Sequence, residues 1–370
     1  MPGPAAPGYN RRLHNRRHFW TRLFWAAAIF VAIEGAIFRT GLYTRFLEPG
    51  SSTGLLQSYL RNEKIRPGDG SRQVLAVGDS RMGFRARAAN ELEPETGCTF
   101  ATIAIPGSTP RCWYYMLREA DPTASRYAAI LIGVDNYDDE DYEDLSGREM
   151  DIRYVVPMLR WSDAWEFPAS FPAWRNRWEA LRATLFKGYA YRADFQDFLV
   201  RHKLRLRKVE DNERESANRR YLERWGDADL RGLRVDWTAW KVFPPPGSTQ
   251  DQKNMLEAVL LRESVEQTGE HGRYLRQWYG RIVERYRGSR TLVVFLRLPR
   301  GPVVRPVGFV PKSAVVRELA RRPEVRLVPE HAFDSLEKPE YFGDPMHLNE
   351  PGSVAFSRLA AREVRALLGP

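Results

Sequence analysis

Five short apolar runs, at 73–77, 99–105, 128–132, 291–296 and 325–328, set the terms for how this chain folds, because each is compact, rich in Val, Ile, Leu and Ala, and bounded by turn residues. Helix-like segments lie between them. Strands that alternate with helices predict an α/β fold: a parallel sheet of about five strands, covered by helices on both faces and joined by right-handed crossovers. In such sheets ligands bind beyond the carboxyl ends of the strands. Polar or glycine-bearing loops follow the first three runs at that end: Gly78-Asp79-Ser80, Pro106-Gly107 and Gly133-Val134-Asp135-Asn136.

The alternation stops between residues 146 and 290, where helical stretches carry Trp161, Trp165, Trp174, Trp178, Trp225, Trp237, Trp240 and Trp278 among charge runs. This span reads as a largely helical insertion between the third and fourth strands. Its aromatics suit a core, a sugar-stacking surface or a membrane surface. The basic run at 201–207 suits a solvated helix face or contact with anionic lipid.

At the other end of the chain, Arg11, Arg12, Arg16, Arg17 and Arg22 precede an apolar stretch at 23–38 that only Glu34 interrupts. The stretch is about 16 residues, or about 21 through Tyr43, near the length that spans hydrocarbon. Trp20 and Trp25 mark one end and Tyr43 the other. This predicts an uncleaved signal anchor with a cytoplasmic basic tail at 1–22, a transmembrane helix at 23–43 and the rest of the chain outside the inner membrane; a cleaved signal peptide, disfavoured by the long apolar run without an A-x-A site, and an ordinary buried helix are the alternatives. Glu34 is a cost to insertion unless it meets a partner helix or the outer interface. A polar linker at 44–72 leads to a globular domain formed by 73–145 and 291–370.

With 370 residues and a mean hydropathy of -0.50, the chain has enough material for a large soluble core. The net charge of +10 is mostly arginine and comes with no zinc-finger, basic-zipper or RNA-recognition signature, so nucleic acid is not an expected partner. Cys98 and Cys112 fall at the start of the second strand and in the following helix, too far apart to pair, and are expected to be free thiols. There is no His-Glu-x-x-His, no paired Cys-x-x-Cys and no phosphate-cradling glycine loop; no metal or cofactor is expected. The acidic run at 138–144 lacks EF-hand spacing and reads as a solvated helix start.

Nucleophilic chemistry is better supported. Gly78 permits a tight turn, Asp79 suits loop hydrogen bonds, and Ser80 is expected to open a helix whose unpaired N–H groups would favour an oxyanion. A lone serine there would be read as a helix cap. His347, with Asp344 three residues upstream, supplies a base and a carboxylate to orient it, just before a helix starting near Asn349 and Pro351 and ending near Leu368. His331 with Asp334 is a second, weaker base candidate.

Gly78-Asp79-Ser80, Gly107, the loop at 133–136 and Asp344-x-x-His347 resemble, in order, the sequence blocks of the SGNH or GDSL-like hydrolase superfamily. With the N-terminal anchor and the large insertion, the chain is similar to the membrane-anchored SGNH-like proteins of cell-envelope acylation, such as teichoic-acid D-alanylation and alginate acetylation. The resemblance implies a flavodoxin-like three-layer α/β/α domain, with Ser80 as nucleophile, His347 as base and Asp344 as orienting carboxylate. Ser80 and Gly107 would give oxyanion N–H groups, and either Asn136, with a shifted backbone, is the third donor or that donor is missing. Two positions depart from the superfamily pattern. Arg81 replaces the leucine that often follows the triplet, and Asp135-Asn136 replaces the usual Asn-Asp order, which makes Arg81 and Asp135 candidates for substrate contact. The implied function is an extracytoplasmic O-acyltransferase on an envelope or secreted polysaccharide, its acyl donor supplied by a membrane acyltransferase partner. An esterase of the same substrates, or a non-catalytic glycan-binding or assembly factor, remain the alternatives.

Overall fold

The computed structural model describes residues 8–65, 72–137, 145–215, 230–261, 269–304 and 314–369. The acidic run at 138–144 and Trp225 lie outside them.

The five predicted runs form one parallel sheet. Its strands are β1 (Arg72–Val77), β2 (Cys98–Thr102), β3 (Ala129–Val134), β4 (Leu292–Arg297) and β5 (Val325–Leu327), in the spatial order β2-β1-β3-β4-β5. Val77 lies beside Ile132 of β3, and Leu75 beside Ala101 of β2. All six residues of β3 are buried, which is why its sequence is continuously apolar. Successive residues serve opposite faces: Leu75, Val77, Ile130 and Ile132 belong to one core, and Val74, Ala76, Ala129 and Leu131 to the other. Cys98 and Cys112, both buried free thiols, sit in different cores.

In chain order the long helices are α1 (Gly8–Glu34), α2 (Ser52–Ile65), α3 (Pro110–Ala120), α4 (Trp174–Leu185), α5 (Lys187–Val200), α6 (His202–Glu215), α7 (Gln250–Leu260), α8 (Gly269–Arg285) and α9 (Glu350–Leu368). On one face of the sheet, α2, α3 and α8 pack through Leu56, Leu60, Trp113, Met116, Trp278 and Ile282. On the other lie α7 and α9, through Leu256, Phe356, Ala360 and Val364. The stretch read as a linker therefore carries α2, whose Glu63 accepts a hydrogen bond from Tyr127 at 2.7 Å. α8, within the span read as insertion, is the helix that leads into β4 and covers the sheet.

Among the described residues, the rest of the span read as an insertion holds the short helices Met150–Val155 and Glu166–Ala169, two 3-10 turns, α4, α5, α6 and a two-stranded antiparallel ribbon, Arg234–Asp236 with Lys241–Phe243. Arg205 in its basic run is 3% exposed and bonded to Glu48, Asp194 and Asp197, so the run is tied down at its centre rather than wholly solvated.

A helical segment, Phe19–Arg39, is long and apolar enough to cross a membrane, with mean hydropathy 1.6 and 11% of its most apolar window buried. Its last residues do not continue outward as a free span. Glu34, 6% exposed, accepts the Gly188 N–H at 3.0 Å in the first turn of α5, where a carboxylate is favoured by the helix dipole. A π-helical turn, Gly35–Arg39, then redirects the chain. Arg39 donates to the carbonyls of Thr184 and Leu185 at the end of α4. Phe38 and Tyr43, inside the span predicted to cross the membrane, pack with Tyr191 and Phe195 instead.

Candidate active site

Three loops converge because their strands are neighbours. The chain leaves β1 toward β2 on one side and returns to β3 on the other, so a crevice opens at the carboxyl ends of β1 and β3. Ser80 stands in it. The residue opens a single 3-10 turn, Ser80–Met82, rather than the helix expected, because Gly83 in the left-handed region ends the turn at once. Asp79 shapes the turn by accepting the Arg81 N–H at 2.9 Å. Met82 is fully buried beneath it. A Cβ on Gly78 would lie 2.9 Å from the Met82 Cβ, and one on Gly133 would lie 2.6 Å from its sulfur. The glycines of the first and third motifs thus leave the space into which Met82 seats the Ser80 turn.

Ser108 stitches the second loop to the first: its hydroxyl donates to the Gly78 carbonyl at 3.0 Å and accepts from the Trp113 indole at 2.8 Å. Gly107 has φ +72°, where a side chain is strained, and a Cβ would meet the Tyr154 hydroxyl at 3.2 Å. That hydroxyl donates to the Pro106 carbonyl at 2.5 Å. Among the described residues, the N–H groups of Ser80 and Gly107 take no part in a hydrogen bond.

His347 reaches Ser80 from the far end of the chain. α9 packs beside the segment after β1: the Arg85 N–H donates to Ser357 at 2.7 Å, and Phe84 meets Phe356 edge-on. Asn349 caps α9 by accepting the Gly352 N–H at 2.9 Å, with Pro351 in the first turn. The loop before it is closed by the Gly343 N–H donating to the His347 carbonyl at 3.0 Å. On this frame the His347 Nε2 lies 2.8 Å from the Ser80 hydroxyl, and its Nδ1 lies 2.7 Å from Asp344 Oδ2. The other Asp344 oxygen accepts the N–H groups of Met346 and His347, each at 2.8 Å.

Burial alone would raise the Asp344 carboxyl, but its hydrogen bond to His347, that residue's charge and the two backbone donors outweigh it and hold the group below its ordinary value. A fixed anion there keeps a proton on Nδ1 and leaves Nε2 to accept one from the serine. This is the arrangement required to make a serine nucleophilic. His331 is not part of it; 79% exposed, it faces Asp334, which is bound to buried Arg297.

Arg81 and Asp135 form a feature that motif reading did not anticipate. The Arg81 guanidinium bonds Asp135 at 2.6 Å and Asp79 at 3.0 Å, so it links the first and third loops across the crevice. Asn136 follows on the third loop and is half-buried. The insertion also borders the site. The 245–248 loop and α7 join Gly343, Asp344 and Pro345 around a cavity of about 210 Å³. On the opposite flank, fully buried Asp151 pairs with Arg111 at 3.0 Å and accepts the Thr109 hydroxyl at 2.8 Å, fixing the start of α3. Burial raises the Asp151 carboxyl, opposed by Arg111 and Thr109.

The chain matches no family model and no curated protein sequence.

Proposed function

We propose that this protein is a serine-dependent O-acyltransferase of SGNH type, acting outside the cytoplasmic membrane on an envelope or secreted polysaccharide. The observation that carries the reading is the continuous relay from Ser80 through His347 to Asp344, at 2.8 and 2.7 Å, in the crevice beyond the carboxyl ends of β1 and β3. The strand order β2-β1-β3-β4-β5 supports a flavodoxin-like domain.

The chemistry runs in two halves. His347 Nε2 takes the Ser80 proton as Oγ attacks the carbonyl carbon of an acyl donor; the same proton goes to the leaving group as the acyl-serine forms. His347 then takes the proton of a sugar hydroxyl, whose oxygen attacks the acyl-serine, and Ser80 is released with its proton restored. The oxyanion of each tetrahedral intermediate is held by the N–H groups of Ser80 and Gly107, with Asn136 as third donor. The two departures from the superfamily pattern, Arg81 and Asp135, bond to each other. Arg81 thereby offsets an acidic charge beside the oxyanion, and both residues serve the site by positioning the loops.

The acceptor glycan enters along the insertion, which reaches Asp344. α1 anchors the chain with its N-terminus inside, and a membrane acyltransferase partner supplies the acyl group.

The test is reaction of the full chain in detergent with a fluorophosphonate, read by intact mass, beside Ser80→Ala and His347→Ala. One adduct in the parent and none in either variant is expected. Acyl donors are then offered with sugar acceptors or with water alone; transfer to water only would make the protein an esterase. No adduct, under conditions that label a serine esterase, would overturn the catalytic reading in favour of a glycan-binding or assembly factor.

A further inference from the structure

Tryptophan side chains are mostly buried in folded proteins, yet four stand in solvent on one part of the insertion: Trp161 at 53%, Trp165 at 85%, Trp174 at 75% and Trp178 at 49% exposed. They are not scattered. Trp174 and Trp178 are one turn apart on one face of α4, and Arg182 extends that row with its guanidinium 5.9 Å from the Trp178 ring. Phe186 ends α4 and meets Phe30 of the apolar N-terminal helix, 5.9 Å between ring centroids. Trp161 lies under Arg39 at 3.6 Å, at the turn where the chain leaves that helix. Trp161, through Arg39, and the Trp174–Trp178 row, through Arg182 and Phe186, thus lead to α1, whose exposed apolar side chains include Phe24, Ile29, Phe30 and Ile33, and Trp165 follows four residues after Trp161.

There is no spacer between that helix and the folded body. Glu34 is bonded into the start of α5, and Phe38 is packed in the insertion. The exposed apolar part, from Phe19 to Ile33, is about 22 Å long at 1.5 Å per residue, short of the roughly 30 Å of a hydrocarbon core. A body joined so closely to so short a span must rest on the membrane, and the part that rests there is the part beside the exit. Tryptophan favours that depth, where its ring meets the acyl boundary and its N–H the headgroups. Arg175 and Arg177 are exposed among these rings, and so is Arg160, which pairs with Glu119 at 3.2 Å. The nearby acids Glu166 and Glu179 are each paired with an arginine, Arg281 and Arg182.

Resting on the reading of α1 as a membrane anchor, we infer that Trp161, Trp165, Trp174, Trp178 and Phe186 form a collar seated in the headgroup layer around the exit of α1. The collar fixes the tilt of the catalytic body on the bilayer, and its arginines meet anionic phosphates.

The experiment uses the full chain in nanodiscs of phosphatidylethanolamine and phosphatidylglycerol. Spin labels are placed singly through Phe30→Cys, Trp165→Cys, Trp174→Cys and, as a solvent control, Arg362→Cys; native Cys98 and Cys112 are buried. Power saturation with oxygen and with a water-soluble nickel chelate reads depth. Expected are a lipid-embedded label at position 30 and labels at 165 and 174 shielded from nickel at least about threefold relative to 362, with oxygen access retained. Labels at 165 and 174 as open to nickel as 362, with position 30 in lipid, would overturn the collar and leave the anchor standing. Shielding of 165 and 174 from both reagents would assign the patch to a protein contact and also overturn it. A nickel-accessible label at position 30 would overturn the anchor itself.

Discussion

Asp344→Asn separates what the carboxylate does for the loop from what it does for the histidine. In the parent, Oδ1 holds the N–H groups of Met346 and His347 at 2.8 Å, and Oδ2 faces the His347 Nδ1 at 2.7 Å. An asparagine of the same shape retains a carbonyl oxygen for the two backbone donors, so the turn persists. Its amide nitrogen then stands where Oδ2 was and must donate to Nδ1. The imidazole is forced into the other tautomer, with its proton on Nε2, and at 2.8 Å that nitrogen donates to Ser80 instead of accepting from it. The loss expected of such a swap in a serine–histidine–aspartate relay is about 10⁴-fold, or roughly 5.5 kcal/mol of barrier. The assay is the second-order rate of fluorophosphonate labelling at pH 7.5, with circular dichroism and urea unfolding to verify that the fold is intact. A folded Asp344→Asn protein that labels within tenfold of the parent would refute the assignment of Asp344 as the orienting carboxylate. The depressed carboxyl also has a pH signature. Its stabilisation is present above the ordinary carboxylate value near 3.9 and lost as pH falls through the lower folded value. The stability gap between parent and Asp344→Asn is therefore expected to narrow as pH falls below the ordinary carboxylate value.

Gly133→Ala places a methyl 2.6 Å from the Met82 sulfur and 2.8 Å from Leu298; a loss of about 1–3 kcal/mol in urea unfolding, with slower labelling of Ser80, is expected as Met82 shifts the nucleophile turn. A parent-like labelling rate would mean that Met82 does not position the turn. Asp151→Ala leaves the fully buried Arg111 without its carboxylate and is expected to cost about 3–5 kcal/mol; a loss under about 1 kcal/mol would show the pair to be dispensable. Lys187 is buried with its ammonium on the Pro157 carbonyl at 2.9 Å, and burial, aided by Arg39, lowers it to about 8. The penalty of holding it charged is complete below pH 8 and relieved as pH rises toward the ordinary lysine value near 10.4. Lys187→Met is thus expected to be more stable than the parent at pH 7, by roughly 3 kcal/mol less about 1 for the lost hydrogen bond, with the difference shrinking by pH 10. A pH-independent difference would contradict it.

Periodicity and turn residues were enough to determine the α/β class, the five strands and the loops that end them. These properties are local: an apolar run between turn residues makes a buried strand whatever lies elsewhere in the chain. The short separation of Asp344 from His347 likewise predicted their contact, and the Asn349–Pro351 start of α9 was legible as a cap. What a sequence could not decide was which distant side chains meet. Arg81 and Asp135 looked like separate candidates for substrate contact, and only the side-by-side placement of β1 and β3 makes them partners. Glu34 read as a cost to membrane insertion; folding converts it into a bond to the first turn of α5, 154 positions along the chain. The stretch at 44–72 read as a linker because α2 is only moderately amphipathic, and it is the sheet and α3 that give its buried face something to cover. Ser80 was expected in a helix because local propensity does not register that Gly83 in the left-handed region stops the turn after three residues. Composition likewise counted the tryptophans without dividing them. Trp278 is buried under the sheet while Trp165 and Trp174 stand outside, since which face of a helix meets the core depends on what the rest of the chain packs against it.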